Sequence, residues 1–334
     1  VEDLSAILRD FPADVMLADF CFLGAAWIYE QNGLPWAGVS TSPLAFSSRD
    51  TAPFGLGLKP DASPVGQIRN RAFNWLAQQM LFRDVTTYTN QIRDRLGLPA
   101  CTTSFFNTLS PFLHLAGTVP QFEYPRRDLP AQVHFVGPLL SSIATEFTPP
   151  AWWDDLKGNQ SVVHVTQGTA ATDPQALIVP TLQALAQEDV LVVATTVGKS
   201  IDMPDAIPAN ARIESFIPHP DLLPYVDVMI TNGGYNGVQI ALAHGIPLVA
   251  AGQSEDKPEV CARIEWAGVG INLKTSKPTA QQIRSAVRKL LTDPHYKTRA
   301  QDFQLAIRQY DAPTLAATLL EQLASTKQPV FGMK

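Results

Sequence analysis

The chain has 334 residues, more than one hydrophobic core usually serves, so its length predicts two domains. With 46% hydrophobic and 17% charged residues it is typical of an ordered globular protein and unlike a disordered one. The net charge of −6 argues against broad binding to nucleic acid or anionic membranes, which needs a basic surface. The three cysteines, Cys21, Cys101 and Cys261, are far apart, which argues against a disulfide framework or zinc site and favours the cytoplasm.

The N-terminal part alternates apolar runs with helix-period segments, a pattern that predicts a parallel sheet covered by helices. No apolar run is long enough to span a bilayer, and the first residues lack a signal-peptide pattern. The chain starts at Val1 inside an amphipathic helix pattern, so we expect residues 1–140 to be the remainder of a domain that begins upstream. Strands are predicted at 15–19, 36–41, 112–117 and 133–137, and helices at 22–32 and about 65–95.

A second β/α series follows a segment rich in proline and serine. We place a linker at 141–160, a complete doubly wound domain at 161–311, and a C-terminal helix and tail at 312–334 that packs back toward the first domain. The acidic pair Asp154 and Asp155 fits a solvated turn of the linker. The predicted strands of this domain are 161–167, 190–196, 212–217, 226–232, 246–252 and 269–273.

Three loops of the second domain are candidates for ligand binding. They follow predicted strands and contain Gln167-Gly168-Thr169, the run Asn232-Gly233-Gly234-Tyr235-Asn236-Gly237, and the run 252–257. A single glycine loop is more often a tight turn than a site. A glycine-rich loop before a helix can hold a diphosphate, however, and an acidic loop in the same sheet can accept sugar hydroxyls. Together these loops indicate a nucleotide-sugar site.

Residues 216–273 resemble the donor-binding signature of family 1 glycosyltransferases, which include plant natural-product, macrolide and sterol enzymes. The likeness extends to 165–169 and 12–20. It implies an α/β protein of GT-B architecture, with two Rossmann-like doubly wound domains facing a cleft and the first domain incomplete. It further implies an inverting transfer from a UDP-sugar, with UDP-glucose favoured, to a hydroxyl of a hydrophobic small molecule. No metal and no other cofactor are expected.

The resemblance also assigns roles to residues of this chain. It places Phe216, Ile217 and His219 at the nucleobase of the donor, and Asp256 and Lys257 on the pair that binds the transferred sugar. It places Gly168 and Thr169 opposite the phosphates, and the phosphate loop contains Gly233, Gly234, Asn236 and Gly237. His219 could equally be a loop histidine without a ligand. Two positions depart from the family pattern. Asn232 replaces a phosphate-contacting histidine, and the ribose-binding glutamate falls on Ile240, with Gln239 beside it as a substitute.

Asp19, at the end of the first predicted strand, matches the family's aspartate that holds the base histidine. The alternative role for Asp19 is to cap the following helix. None of the six histidines occupies the matching place, so the base is expected in residues upstream of Val1. The acceptor side is predicted from a set of apolar residues: Phe46, Phe54, Leu56, Trp75, Met80, Leu81, Phe82, Phe105 and Phe106.

Two alternative functions stay open from the sequence alone. One is a nucleotide-sugar-binding subunit that works only with a partner chain, such as its own N-terminal fragment, that carries the base histidine. The other is a sugar-nucleotide epimerase of the same two-domain architecture, which the acceptor-side segment 12–47 does not support.

A prediction follows from the incomplete first domain. We expect residues 1–334 expressed alone to be inactive and poorly soluble, because the strand at 15–19 leaves an uncovered edge. Glycosyl transfer to a phenolic acceptor, measured with and without an added upstream segment, checks this. Full activity of the bare 334 residues would contradict it.

Overall fold

A computed structural model describes residues 1–102, 105–140, 146–168, 173–199, 201 and 207–332. The chain forms two compact units, each with one parallel sheet. Unit 1 comprises Val1–Leu139 and Tyr310–Lys334, and unit 2 comprises Leu140–Gln309. Within the described ranges, no helix combines the length and apolar character needed to cross a bilayer.

Ten strands and eleven helices are found in the described residues. The strands are β1 (Met16–Asp19), β2 (Trp36–Ser40), β3 (Leu113–Ala116), β4 (Val133–Phe135), β5 (Ser161–Thr166), β6 (Val190–Thr195), β7 (Ala211–Glu214), β8 (Val228–Thr231), β9 (Leu248–Ala250) and β10 (Gly270–Asn272). The helices are α1 (Glu2–Asp10), α2 (Gly24–Asn32), α3 (Pro64–Leu76), α4 (Arg83–Arg95), α5 (Ile178–Leu185), α6 (His219–Leu222), α7 (Tyr235–Ala243), α8 (Lys257–Trp266), α9 (Ala280–Thr292), α10 (Pro294–Ile307) and α11 (Ala312–Thr326). Each predicted strand coincides with an observed one, and most observed strands are a residue or more shorter.

The sheet of unit 1 has the order β1-β2-β3-β4. Strand β3 is buried along its whole length, as expected for an inner strand covered on both faces. Strand β1 lies at an edge and leaves Leu17 half-exposed. Helix α11 packs on β3 through Leu319 and Leu323, so the C-terminal helix completes the core of unit 1.

The sheet of unit 2 has the order β10-β9-β8-β5-β6-β7, a doubly wound arrangement. Its central strands carry apolar side chains such as Val163, Val165 and Ile230, which are fully buried. Helices α5 and α9 pack against one another and against this core. Inner parallel strands are covered by helices on both faces, so they are apolar along their length. For this reason the apolar runs of the sequence predicted the strands.

Residues 146–160, predicted as part of the linker, are held on unit 2. The Trp152 indole donates to Glu214, and Asp155 forms an ion pair with Arg212 at 2.6 Å. The predicted solvated turn is a 3₁₀ helix at Trp153–Lys157, in which Asp154 is exposed and pairs with Lys157. The first residues of the predicted linker, 141–145, lie outside the described residues.

The two places where the chain passes between the units lie next to each other on unit 1. Gly137 precedes the first crossing and Tyr310 follows the second. Gly137 has a φ of +85°, and a Cβ built there would overlap the Tyr310 side chain. Glycine is therefore required at this position by both conformation and space.

We expect Gly137→Ala to destabilise the fold by more than about 2 kcal/mol, because the alanine must strain φ and displace Tyr310. Gly33→Ala is the matched control, since Gly33 has a φ of +78° but a Cβ there meets nothing within 4 Å. That control should cost about 1 kcal/mol. Chemical denaturation of the two variants measures both values. Equal losses would show that Tyr310 does not constrain Gly137.

Candidate functional site

The connectivity of the unit 2 sheet reverses between β5 and β8, which are neighbours at the centre of the sheet. The helices that follow two such strands lie on opposite faces, so the loops after them diverge and leave a crevice. The loop after β5 begins with Gln167 and Gly168, and the loop after β8 begins with Asn232. Gly168 has a φ of +67°. Thr169, the other residue predicted there, lies outside the described residues.

The Asn232 side chain joins these two loops. Its amide Nδ2 donates a hydrogen bond to the Gln167 carbonyl oxygen at 2.6 Å. The Gln167 side chain is itself fixed, because its Nε2 donates to the Asp173 carbonyl and its Oε1 accepts from the Ile178 N–H. A primary amide has two N–H donors, so this bond uses one of the two that Asn232 carries.

Helix α7 starts at the crevice without a side-chain cap. Its N-cap is Gly234, which has no side chain with which to cap the helix. These N–H groups point out of the helix end, and with the helix dipole they attract anions. Gly233, one residue earlier, has a φ of +85°, and a Cβ there would lie 2.6 Å from the Cys261 sulfur. The loop therefore turns sharply onto the helix start.

The two remaining glycines of this loop differ from Gly233. A Cβ at Gly234 meets nothing closer than the Asn232 Oδ1 at 3.8 Å, and one at Gly237 nothing closer than the Met229 Cε at 3.9 Å. Neither glycine has a positive φ. The fold alone thus tolerates a larger residue at both positions, and a closely approaching ligand would not.

The loop after β9 packs directly on the Asn232 loop. A Cβ at Gly252 would overlap the Asn232 carbonyl oxygen, so only glycine lets the two loops approach this closely. Asp256 is the N-cap of α8 but makes no side-chain capping bond. Burial raises the pKa of the Asp256 carboxyl above its ordinary value. The Lys257 ammonium is buried, pairs with Glu255 and approaches Ser254 at 3.4 Å.

The loop after β7 carries an exposed aromatic ring. Phe216 is 61% exposed, whereas Ile217 beside it is buried. His219 begins α6, and its ring lies 6.1 Å from the ring of His164 on β5. Burial, and less strongly the neighbouring His244, lowers the pKa of His219. Burial lowers the pKa of His164 to about 3, so His164 is a neutral ring at physiological pH.

Two predicted residues on α7 differ in access. Asn236, in the first turn, is exposed. Gln239, one turn later, is only 2% exposed, so a ribose reaches its amide only if neighbouring groups move. The burial of Gln239 therefore argues against direct contact of its side chain with a ligand.

In unit 1, Asp19 ends β1 with both carboxylate oxygens bonded. Oδ1 accepts from the Cys21 N–H at 2.9 Å, and Oδ2 accepts from the Thr41 hydroxyl at 3.1 Å. The N-cap of α2 is Leu23, so Asp19 does not cap that helix. The neighbouring thiol is affected too: burial, followed by the Asp19 charge, raises the pKa of Cys21 to about 11.

Part of the predicted acceptor-side set forms one cluster of phenylalanine rings. Phe106 is at its centre, with ring centroids 5.2 Å from Phe82 and Phe105, 5.5 Å from Phe54 and 6.5 Å from Phe20. Phe20 follows Asp19 in the chain, so the cluster reaches the end of β1. Of the other predicted residues, Phe46 is buried beneath Arg126, while Leu56, Trp75, Met80 and Leu81 are exposed.

Sequence reasoning missed Thr41, and it placed Gln167 and Glu255 on candidate loops without assigning either a role. The signal for Thr41 was present, because parallel neighbouring strands bring their carboxyl ends together and Thr41 follows β2. The bonds of Gln167 and Glu255 depend on loop conformation, which composition does not reveal. Across the ranges that the structure covers, no three His, Cys, Asp or Glu side chains are grouped as metal ligands.

Comparisons with known proteins give consistent matches. The family described as erythromycin biosynthesis protein CIII-like, C-terminal domain, matches residues 179–323. A 4'-demethylrebeccamycin synthase from Lentzea aerocolonigenes is 48% identical over 96% of this chain and 76% of its own length. UDP-glycosyltransferase 2 from Phaeomoniella chlamydospora is 37% identical over 97% of this chain and 75% of its own length. Among solved structures, the glycotransferase of kitacinnamycin superposes with a TM-score of 0.76 at 21% identity, covering 96% of this chain and 78% of that one.

Proposed function

Since this chain belongs to the family 1 natural-product glycosyltransferases, enzymes of GT-B fold, we propose that it moves glucose from UDP-glucose to a hydroxyl of a hydrophobic small molecule. The reaction inverts the anomeric centre, because the hydroxyl attacks opposite the departing diphosphate. The observation that carries the donor half of this proposal is the uncapped start of α7 at the switch point of the unit 2 sheet.

The diphosphate binds at the start of α7 in this proposal. Backbone N–H groups from Gly234 onward donate to its oxygens, and the helix dipole stabilises the charge that grows as the bond to the sugar breaks. The open space at Gly234 and Gly237 supports close approach of the phosphates. The second N–H of the Asn232 amide is a further donor, held in place by the bond to Gln167.

The nucleobase and the sugar of the donor are assigned to the loops after β7 and β9. The exposed Phe216 ring offers a face on which a base stacks, and the Ile217 backbone with His219 lies along its edge. Asp256 accepts from the sugar hydroxyls. Its carboxyl is partly enclosed and makes no capping bond, so it is available to a ligand. Lys257 is already paired with Glu255 and holds the loop.

The acceptor is assigned to unit 1. Asp19 orients and stabilises the general base that takes the hydroxyl proton, and its own orientation is fixed by Thr41 and the Cys21 N–H. The phenylalanine cluster around Phe106 provides apolar surface beside Asp19 for the body of the acceptor. We also propose that the enzyme works in the cytoplasm, which agrees with cysteines that form no disulfide in the described residues.

A partner-dependent binding subunit is not favoured. The relatives that match 96% and 97% of this chain are named as a synthase and a glycosyltransferase. The epimerase alternative likewise has no support among these relatives.

Catalysis should need no divalent metal, because neutral N–H donors stand where metal-dependent transferases place carboxylates. Turnover by the active form of the enzyme should therefore continue at full rate in excess EDTA. A loss of activity that added magnesium or manganese restores would refute this part of the proposal.

Gly234→Val should weaken UDP binding by about tenfold to 150-fold, because the side chain blocks charge-assisted bonds from the helix start. The substitution is compatible with the fold, since Gly234 has a φ of −62° and open space around its Cβ position. Titration calorimetry measures the affinity. Uridine is the matched ligand, and its affinity should stay unchanged because it lacks the diphosphate. Equal UDP affinities for the parent and the variant would refute the assignment of the diphosphate to the start of α7.

Asp256→Ala should lower kcat/KM for UDP-glucose by about tenfold to 150-fold, the effect of losing a charged hydrogen bond to a hydroxyl. UDP, which lacks the sugar, should bind to the variant as it does to the parent. Steady-state kinetics and calorimetry provide the two measurements. If UDP affinity falls as much as kcat/KM, Asp256 holds the loop rather than the sugar.

A further inference from the structure

Helix α3 is attached to unit 1 by its polar side. Asn70 is fully buried and donates to the Arg49 and Asp61 carbonyl oxygens. Asn74 accepts from the Ser47 hydroxyl, and Gln67 donates to Asp50. In an amphipathic helix of a globular protein, the apolar side faces the core instead. The orientation of α3 is therefore the reverse of the usual one.

The opposite side of α3 carries apolar side chains into solvent. Val65, Ile68, Trp75 and Leu76 recur at helical spacing, and all four are exposed, Trp75 by 63%. The π-helical turn Ala77–Leu81 continues this surface with Met80 and Leu81, which are about equally exposed. We call these six residues the outer stripe. Large exposed apolar surfaces of this kind mark contact sites.

Arginines flank the outer stripe. Residues 64–83 contain three arginines, Arg69, Arg71 and Arg83, and no acidic residue, although the whole chain has a net charge of −6. Beside Trp75, a cavity of about 390 Å³ is lined by Arg49 and Arg71, both exposed. Neither of these two guanidinium groups pairs with a carboxylate in the part of the chain that the structure describes.

One acidic residue, Asp128, also lines this cavity. Its carboxylate is already engaged, because Oδ1 accepts from the Ser48 hydroxyl at 2.6 Å and Oδ2 from the Arg49 N–H at 2.9 Å. The cavity therefore presents two unpaired cations next to an apolar surface. The two cations can bind a phosphate group.

We propose that the outer stripe docks on the surface of a bilayer that contains anionic phospholipid. Trp75, Met80 and Leu81 enter the boundary between headgroups and acyl chains, and Arg49 and Arg71 hold a lipid phosphate. The negative charge of the whole chain opposes binding over a broad surface, but this contact involves only a locally basic face. A second copy of the chain fits less well, because a two-fold contact would bring the flanking arginines together.

Flotation of the chain with lipid vesicles on a density gradient tests this proposal, since bound protein rises and aggregated protein sinks. At about 0.1 M salt the chain should rise with vesicles containing about one third phosphatidylserine, and much less with phosphatidylcholine alone. Arg49→Gln with Arg71→Gln should weaken partitioning roughly thirtyfold. Trp75→Ser with Leu81→Ser should weaken it at least tenfold.

The matched control is Leu305→Ser with Arg308→Gln, which removes an exposed leucine from α10 of unit 2 and the exposed arginine that follows this helix. This control should float like the parent, and circular dichroism of all variants shows that each is folded. Flotation of the Trp75/Leu81 variant at the parent level overturns the proposal, as does failure of the parent to float. Two further results would overturn the proposal. One is a dimer, detected by light scattering, in place of vesicle binding, and the other is loss of vesicle binding when a segment is fused upstream of Val1.

Discussion

The hydrogen bond from the Asn232 amide to the Gln167 carbonyl holds the donor side of unit 2 together. It bridges the two loops that diverge from neighbouring strands at the switch point, where a doubly wound sheet would otherwise have an open crevice. The Gly252 backbone then packs against the carbonyl of the same asparagine, so a third loop depends on its position. Asn232 thus contacts both of the neighbouring loops.

This arrangement explains how the chain accommodates the exchange of a family histidine for Asn232. A histidine contributes an imidazole to the ligand. The asparagine instead uses one N–H to fix the loop and retains the other N–H as a donor. In the proposed donor site, the uncapped start of α7 then carries more of the interaction with the diphosphate. Under this proposal, phosphate recognition relies on backbone groups whose position is fixed by one side chain.

The sequence predicted the strands of both sheets because inner parallel strands are apolar throughout, and runs such as 161–167 have no other simple explanation. It also predicted glycine-rich loops after three of these strands, and the structure has loops at those positions. It did not predict the side chains that hold the site, since Asn232 and Gln167 are 65 residues apart and Asp19 and Thr41 are 22 apart. The same limit explains α3: the sequence predicted a helix there, but the partners Ser47 and Asp50 that turn its polar side inward are set by tertiary packing.

The contact between Gly137 and Tyr310 places the exit and return of the chain side by side on unit 1. Unit 2 is therefore a single continuous segment inserted between two adjacent points of its host. A laboratory that wishes to exchange donor preference between relatives can replace Leu140–Gln309 as one cassette and bridge the host with a short joint. Helix α11 has to stay with the host, because Leu319 and Leu323 belong to the hydrophobic core of unit 1.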